Sequence, residues 1–203
     1  MTSRAVADAG TVTTTAKTVL LAGLGNIFIG DDGFGVAVAD LLARRAWPRG
    51  VQVRDFGIRG VHLAYQLLDG YDLVVIIDAV SRGGEPGTIY VIEHAGDTAS
   101  QQPAGPMLDA HDLGPDSVLE LVPRLGGTLG RVVVVGCEPA TVAAQLGLSP
   151  VVAASVEKAA SIVAGLVRDA IGADAAIEVD EAIETSPATA RDLRIGGGQR
   201  WLE

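Results

Sequence analysis

Three residues spread along the chain carry side chains that could do chemistry together: Asp32, Asp78 and His111. Asp32 is the second carboxylate of Gly30-Asp31-Asp32-Gly33, which follows the glycine-rich stretch Gly23-Leu24-Gly25-Asn26. Asp78 ends the apolar run Leu73-Val74-Val75-Ile76-Ile77, and His111 stands in Asp109-Ala110-His111-Asp112-Leu113-Gly114. Two carboxylates and one imidazole suit a divalent transition ion with open coordination positions, such as nickel, iron or zinc.

Each residue also has a plainer reading. One of Asp31 and Asp32 is expected to cap the following helix, because Asp is a preferred N-cap and complements the helix dipole; the other is then left over. Asp78 could be an ordinary turn residue, but a buried strand that delivers a charge to its own C-terminal rim points to a site. His62, at a helix start, reads as a packing or surface residue, and His94, ending an edge strand, as exposed. His111 follows a loop of about twenty residues without periodicity, a length that in a compact domain marks function or disorder. Glu138, just past the run Val132-Val133-Val134-Val135-Gly136-Cys137, could line the same rim or serve structure.

Other chemistries fit less well. The turn begins like the dinucleotide fingerprint G-x-G-x-x-G, but its third glycine falls at Gly30, with Phe28 at the fingerprint position. Asp31 and Asp32 would repel a phosphate there, and no P-loop Lys-Ser/Thr pair is present. Neither H-E-x-x-H nor G-x-S-x-G occurs. Cys137, the lone cysteine, closes an apolar run and reads as a small buried residue rather than a nucleophile. Alone, it forms no intrachain disulfide and no cysteine-rich zinc site.

The elements that must position these groups are legible from apolar runs and turn residues. Strands are predicted at residues 17–24, 51–56, 73–77, 88–93 and 132–135, the fourth of them at an edge. Helices are predicted at residues 33–46, 61–68 and 115–125, the last with Pro in its first turn. A long final helix is predicted from Ser149, as N-cap, to about residue 170. Apolar strands alternating with helices predict a three-layer α/β/α sandwich around a twisted, mostly parallel five-stranded sheet. Ligands in such sheets gather beyond the carboxyl ends of the strands where the strand order reverses, so neighbouring first and third strands would flank a crevice with residues 25–32 and Asp78.

The 203 residues suffice for one domain with a sizeable core, 48% of them being hydrophobic. The formal charge of −10, from 15 basic and 25 acidic residues, disfavours nucleic acid and anionic membrane surfaces as partners. Residues 1–16 read as a flexible leader without a signal-peptide core, 17–171 as the single domain, and 172–203 as a disordered tail. No apolar run is expected to reach the roughly 18 residues that span a bilayer. A cytoplasmic location is expected.

Five motifs in order carry a family resemblance: residues 23–35 (GLGNIFIGDDGFG), 55–60 (DFGIRG), 74–80 (VVIIDAV), 110–114 (AHDLG) and 132–139 (VVVVGCEP). The set, spread over about residues 18–170, resembles the hydrogenase maturation proteases, endopeptidases that trim the C-terminus of the large subunit of nickel–iron hydrogenases. The resemblance implies that Asp32, Asp78 and His111 contact a metal. Position 32 is Asp where some members carry the longer Glu. The resemblance further implies nickel supplied by the large-subunit precursor, which is the expected partner, and an aspartyl-type peptidase that activates the hydrogenase. Asp32 and Asp78 are the catalytic candidates. Either the ion activates the attacking water or one of these carboxylates takes its proton. A non-cleaving, metal-sensing chaperone on the same precursor is the alternative.

The tail lacks apolar periodicity, so it should bury little surface. Deleting residues 175–203 should leave the thermal midpoint nearly unchanged, and a large drop in a melting curve would show that the tail packs on the domain.

Overall fold

Every second residue of the central strands faces the same side of the sheet, and here both sides are covered. The computed structural model describes residues 16–94 and 114–172. Strand β1 (Val19–Leu24) is followed by helix α1 (Phe34–Ala43), β2 (Val51–Gly57), α2 (Gly60–Leu67), β3 (Leu73–Ala79) and β4 (Ile89–His94). Then come α3 (Pro115–Arg124), β5 (Arg131–Cys137), the single-turn α4 (Pro150–Ala153) and α5 (Val156–Ile171). Odd-numbered strand residues Val19, Leu21, Val75, Ile77, Val133 and Val135 pack against α1 and α5. Even-numbered residues Leu20, Ala22, Val74, Ile76, Val132 and Val134 pack against α2 and α3. A strand buried on both faces needs no polar alternation, which is why these segments read as continuous apolar runs.

The sheet order is β2-β1-β3-β5-β4, parallel except for the β4–β5 pair. The sandwich class, the strand count and the edge position of β4 match the sequence reading. The chain leaves β1 toward β2 on one side and later enters β3 on the other, with α1 and α2 on opposite faces. The loops after β1 and β3 therefore diverge and open a crevice at the C-terminal ends of these two strands.

Close packing of α1 on the sheet needs glycine. A Cβ on Gly35 would run into the carbonyl oxygens of Ile77 and Leu24, and one on Gly23 would lie 2.5 Å from the Gly35 oxygen and 2.6 Å from the Ala39 Cβ. Gly25 serves the turn: its φ is +120°, and a side chain there would strike the backbone oxygen of Asp32.

Several local expectations change. Neither Asp31 nor Asp32 caps α1: residues Gly30–Gly33 form a 3₁₀ turn with no side-chain cap bond, and Gly33 occupies the N-cap position of α1. Helix α1 ends at Ala43, before the predicted residue 46, where the Trp47 indole donates to the Leu42 carbonyl at 2.8 Å. The predicted final helix is two pieces separated at Ala154 and Ser155. Ser155 donates its hydroxyl to the carbonyls of Gly87 (2.8 Å) and Val151 (3.3 Å), tying the break to the β3–β4 connection. Ser149 stands at the N-cap position of α4 but makes no cap bond with its side chain, because its hydroxyl goes to Asp31. Residues Pro150–Ile171 do pass a length-and-composition test for crossing a membrane, with mean hydropathy 1.5, contrary to the expectation of no such run. Here Val152, Ala159, Ala160, Val163 and Val167 are buried against the sheet. The leader and tail fall outside the described residues.

Gly35→Val should destabilise the protein by about 3 kcal/mol or more, lowering the thermal midpoint by roughly 6–12 °C, because α1 must lift off two strands. Gly165, in α5 with nothing within 4 Å of a built Cβ, is the control. Gly165→Ala should raise stability by about 0.5–1 kcal/mol, and calorimetry on both variants reads the contrast.

Candidate active site

The crevice expected from the strand order is a cleft of about 350 Å³ lined by Gly25, Asp32, Ile58, Asp78, Ser81 and Gly114, among others. β1 contributes Leu24 and the start of its following loop, β3 contributes Asp78 and Ala79 at its end, and Gly57 comes from the end of β2. Asp32 and Asp78 thus meet in one cleft from opposite sides of the switch point, as the sequence reading required. His111 lies outside the described residues. Gly114, three positions after it, lines the cleft.

The two carboxylates are held differently. Asp32 is half-buried, and its Oδ2 accepts a hydrogen bond from the Asn26 backbone N–H at 2.6 Å. That bond closes the loop between Gly25 and the 3₁₀ turn on itself. Asp78 is buried, and among the described residues its Oδ1 accepts from the N–H of Ala79, at 2.8 Å. Burial, and then the charge of Asp32, push the Asp78 carboxyl up to about 7 against the lowering effect of the Ala79 bond. Near neutral pH Asp78 therefore exchanges a proton readily, and a cation between the pair would release it.

The other acidic residues nearby are not part of this pair. Asp31 is fully buried and faces away, into the β5–α4 loop. Its carboxylate accepts from the backbone N–H groups of Ala140 (2.9 Å), Thr141 (3.0 Å) and Ser149 (2.6 Å) and from the Ser149 hydroxyl (2.9 Å). Burial alone would raise its pKa, but the bonds from Ser149, Thr141 and Ala140 together hold it below the usual carboxylate range. Glu138 is likewise structural. It accepts from the backbone of Arg82 (2.8 Å) and Gly83 (3.2 Å), from the Ser81 hydroxyl (3.3 Å) and from the Tyr90 hydroxyl (2.8 Å). The Arg82 bond, outweighing burial and joined by those from Tyr90, Gly84 and Gly83, brings its carboxyl down to about 2. It fixes the loop that places Val80 and Ser81 at the cleft.

Cys137 is fully buried. Its thiol is pushed up to about 11 by burial and then by the charges of Asp31 and Glu138, which suits packing and not attack. His62 is exposed, and His94 is partly buried beside β5, less open than its edge position suggested. Among the described residues no group of three or more His, Cys, Asp or Glu side chains is placed to hold a metal ion.

The sequence pattern of the hydrogenase maturation proteases matches residues 36–166. The chain belongs to this family. The matched span contains Asp78 and His111, and Asp32 lies just ahead of it. The hydrogenase expression/formation protein HupM of Azotobacter chroococcum mcd 1 is 32% identical over 64% of this chain and 61% of its own length. The chain thus spans about three fifths of that relative. The hydrogenase-maturating endopeptidase HybD of Escherichia coli is 27% identical and superposes with a TM-score of 0.63 over 75% of this chain and 93% of its own. The hydrogenase 2 maturation peptidase of a Thaumarchaeota archaeon is 31% identical, with a TM-score of 0.53 over 77% of this chain and 99% of its own. The α/β architecture around the cleft is therefore the architecture of the family.

Sequence reasoning found Asp32 and Asp78 but missed Ile58 and Ser81 as cleft residues and Asp31 as an anchor. Ile58 sits in the motif at residues 55–60, where a Gly57 φ of +52° and a 2.7 Å bond from its N–H to the Asp55 carboxylate form the turn. Nothing local marks Asp31, whose partners lie more than 100 residues away.

The two buried aspartates should respond in opposite ways to mutation. The unfolded chain releases the Asp78 proton near pH 3.8, whereas the folded protein keeps it to about 7. The native state therefore holds an extra proton between these values, so stability falls as pH rises from about 4 to about 7 and levels off above. Asp78→Asn removes that loss. It should match the parent near pH 4 and exceed it at pH 8 by on the order of 2–4 kcal/mol in urea titrations. An Asp78→Asn protein that fails to fold would make Asp78 a structural residue. Asp31→Ala strips partners from three backbone N–H groups and should lose about 2–4 kcal/mol.

Proposed function

We propose that this protein is an endopeptidase that removes a C-terminal peptide from the nickel-loaded precursor of a nickel–iron hydrogenase large subunit. The observation that carries the reading is the pair Asp32 and Asp78 in one cleft, in a chain of the hydrogenase maturation protease family. The cleft holds two hard oxygen donors and no thiol, so it competes poorly for nickel with a thiolate-rich precursor. Nickel is then part of the substrate. The cleft recognises it, and recognition places the bond to be cut.

Asp32 and Asp78 contact the ion, with His111 as the third contact. His111 stands three positions before Gly114, which lines the cleft, and this closeness in sequence supports the assignment. The water that attacks the scissile carbonyl gives its proton to a carboxylate of the pair; a group that titrates close to working pH is suited to that step. A buried lone cysteine and the absence of any need for disulfides support the cytoplasm as the place of action. The chaperone reading is not favoured, because structural neighbours of the same α/β fold are named endopeptidase and peptidase.

Mass spectrometry of the precursor tests the proposal. The parent should shorten nickel-loaded precursor and leave the metal-free form intact, and Asp78→Asn should shorten neither. His111→Ala should lose cleavage chiefly through a higher KM for the loaded precursor. The purified protein should carry well under one metal per chain. One tightly held zinc or nickel per chain, together with cleavage of metal-free precursor, would replace this reading with an ordinary metallopeptidase.

A further inference from the structure

Beside the cleft lies a stretch of surface whose composition is unlike the rest of this acidic chain. Residues 25–30 and 139–149 contain no Asp, Glu, Lys or Arg, in a protein of net charge −10. The two segments are zipped together. Gly30 N–H donates to the Gln145 carbonyl at 2.8 Å, Gln145 N–H to the Phe28 carbonyl at 3.0 Å and Asp31 N–H to the Thr141 carbonyl at 3.1 Å. Ile29 and Gln145 form a parallel bridge. The Asp31 carboxylate locks the same two segments from beneath with its bonds to Ala140, Thr141 and Ser149.

A loop pair fixed by this many hydrogen bonds could have turned its apolar side chains inward, yet it turns them out. Phe28 is 64% exposed, Leu146 72% and Val142 58%. Ile27, next to them, and Ile58, which lines the cleft itself, are exposed as well. The surface is continuous with the site. Gly25 lines the cleft, Asn26 holds the Asp32 carboxylate, and Ile27 and Phe28 follow directly. Clustered apolar exposure of this kind marks an interaction surface.

We propose that this apolar platform docks the folded body of the precursor, around the point where its metal emerges. The inference rests on the proposed function and names the second half of substrate recognition. The chemistry of the occupant follows from the pattern of charge. An acidic pair sunk beside an uncharged, apolar rim complements a protein surface that is itself apolar and uncharged but exposes a cation. A free metal ion or a short polar peptide would gain nothing from Phe28 and Leu146. Because the platform is already held in place by the Asp31 bonds, docking spends little on ordering it.

The test uses the full chain carrying Asp78→Asn, so that bound precursor is not consumed, and nickel-loaded large-subunit precursor encoded in the same genome. Adding Phe28→Ser and Leu146→Ser to that protein should weaken precursor binding by roughly tenfold or more, since a few central apolar anchors carry most of an interface's affinity. Val91→Ser is the control: Val91 is 51% exposed on β4, away from the cleft lining, and its change should leave the dissociation constant where it was. Melting curves confirm folding, and Val142→Ser alone replaces the pair should the pair unfold the loop. If the parent cuts the precursor while the platform variants bind it as tightly as their background, the platform is wrong and the proposed function stands. If the parent neither binds nor cuts loaded precursor, the proposed function fails and takes the platform with it.

Discussion

The buried Asp31 carboxylate is the tie on which the working end of this molecule depends. It sits at the end of the β1 loop and satisfies backbone donors in the β5–α4 loop, joining segments about 110 residues apart in the chain. A buried carboxylate without such partners would be strongly unfavourable. With them, it becomes a cross-link that leaves neither loop free to drift. The next residue, Asp32, inherits a fixed backbone and needs only the Asn26 bond to settle its side chain. Two neighbouring acids of the same type thereby take different places, one anchoring the loops and the other facing the cleft.

Beneath that tie, the layer of α1 on β1 and β3 sets how near the loops can come. With no Cβ at Gly23 or Gly35 the helix lies directly on the strands, and the turn between them is short and steep. The cleft opens where this turn and the end of β3 part. Asp78, delivered there by a fully buried strand, is destabilised by its own burial and by Asp32. Glu138 shows what the same chemistry does when partners are supplied: another buried carboxylate, but one saturated with donors and held strongly ionised. The contrast between Asp78 and Glu138 separates a group kept available from a group used for construction.

Much of this was legible in the sequence, and the failures share one cause. Strands 1, 3 and 5 were found because burial on both faces leaves unmistakable apolar runs, and the switch-point rule then placed Asp32 opposite Asp78. The capping reading of Asp31 went astray through distance, and distance also decides where the Ser149 hydroxyl goes from its N-cap position and which of the two readings of Glu138 holds. In each case the side chain takes partners from a segment remote in sequence, and local propensity has no term for that. The break at Ala154 and Ser155 belongs with them, since it answers to the Gly87 carbonyl. Phe28, Val142 and Leu146 were invisible as a group because only the folded loops bring them together.

The reversed direction of β4 has a consequence for how such a protein can diversify. β4 begins opposite Cys137, at the cleft end, and finishes opposite Val132, at the far end of the sheet. The chain must then return to Gly114, which lines the cleft, and the residues between 94 and 114 offer several times the length that crossing one strand demands. A change in the number of residues there need not alter any register of the sheet, because every described strand pair closes outside it. The fold can therefore hold its strand registers constant while the length of sequence between β4 and α3 varies.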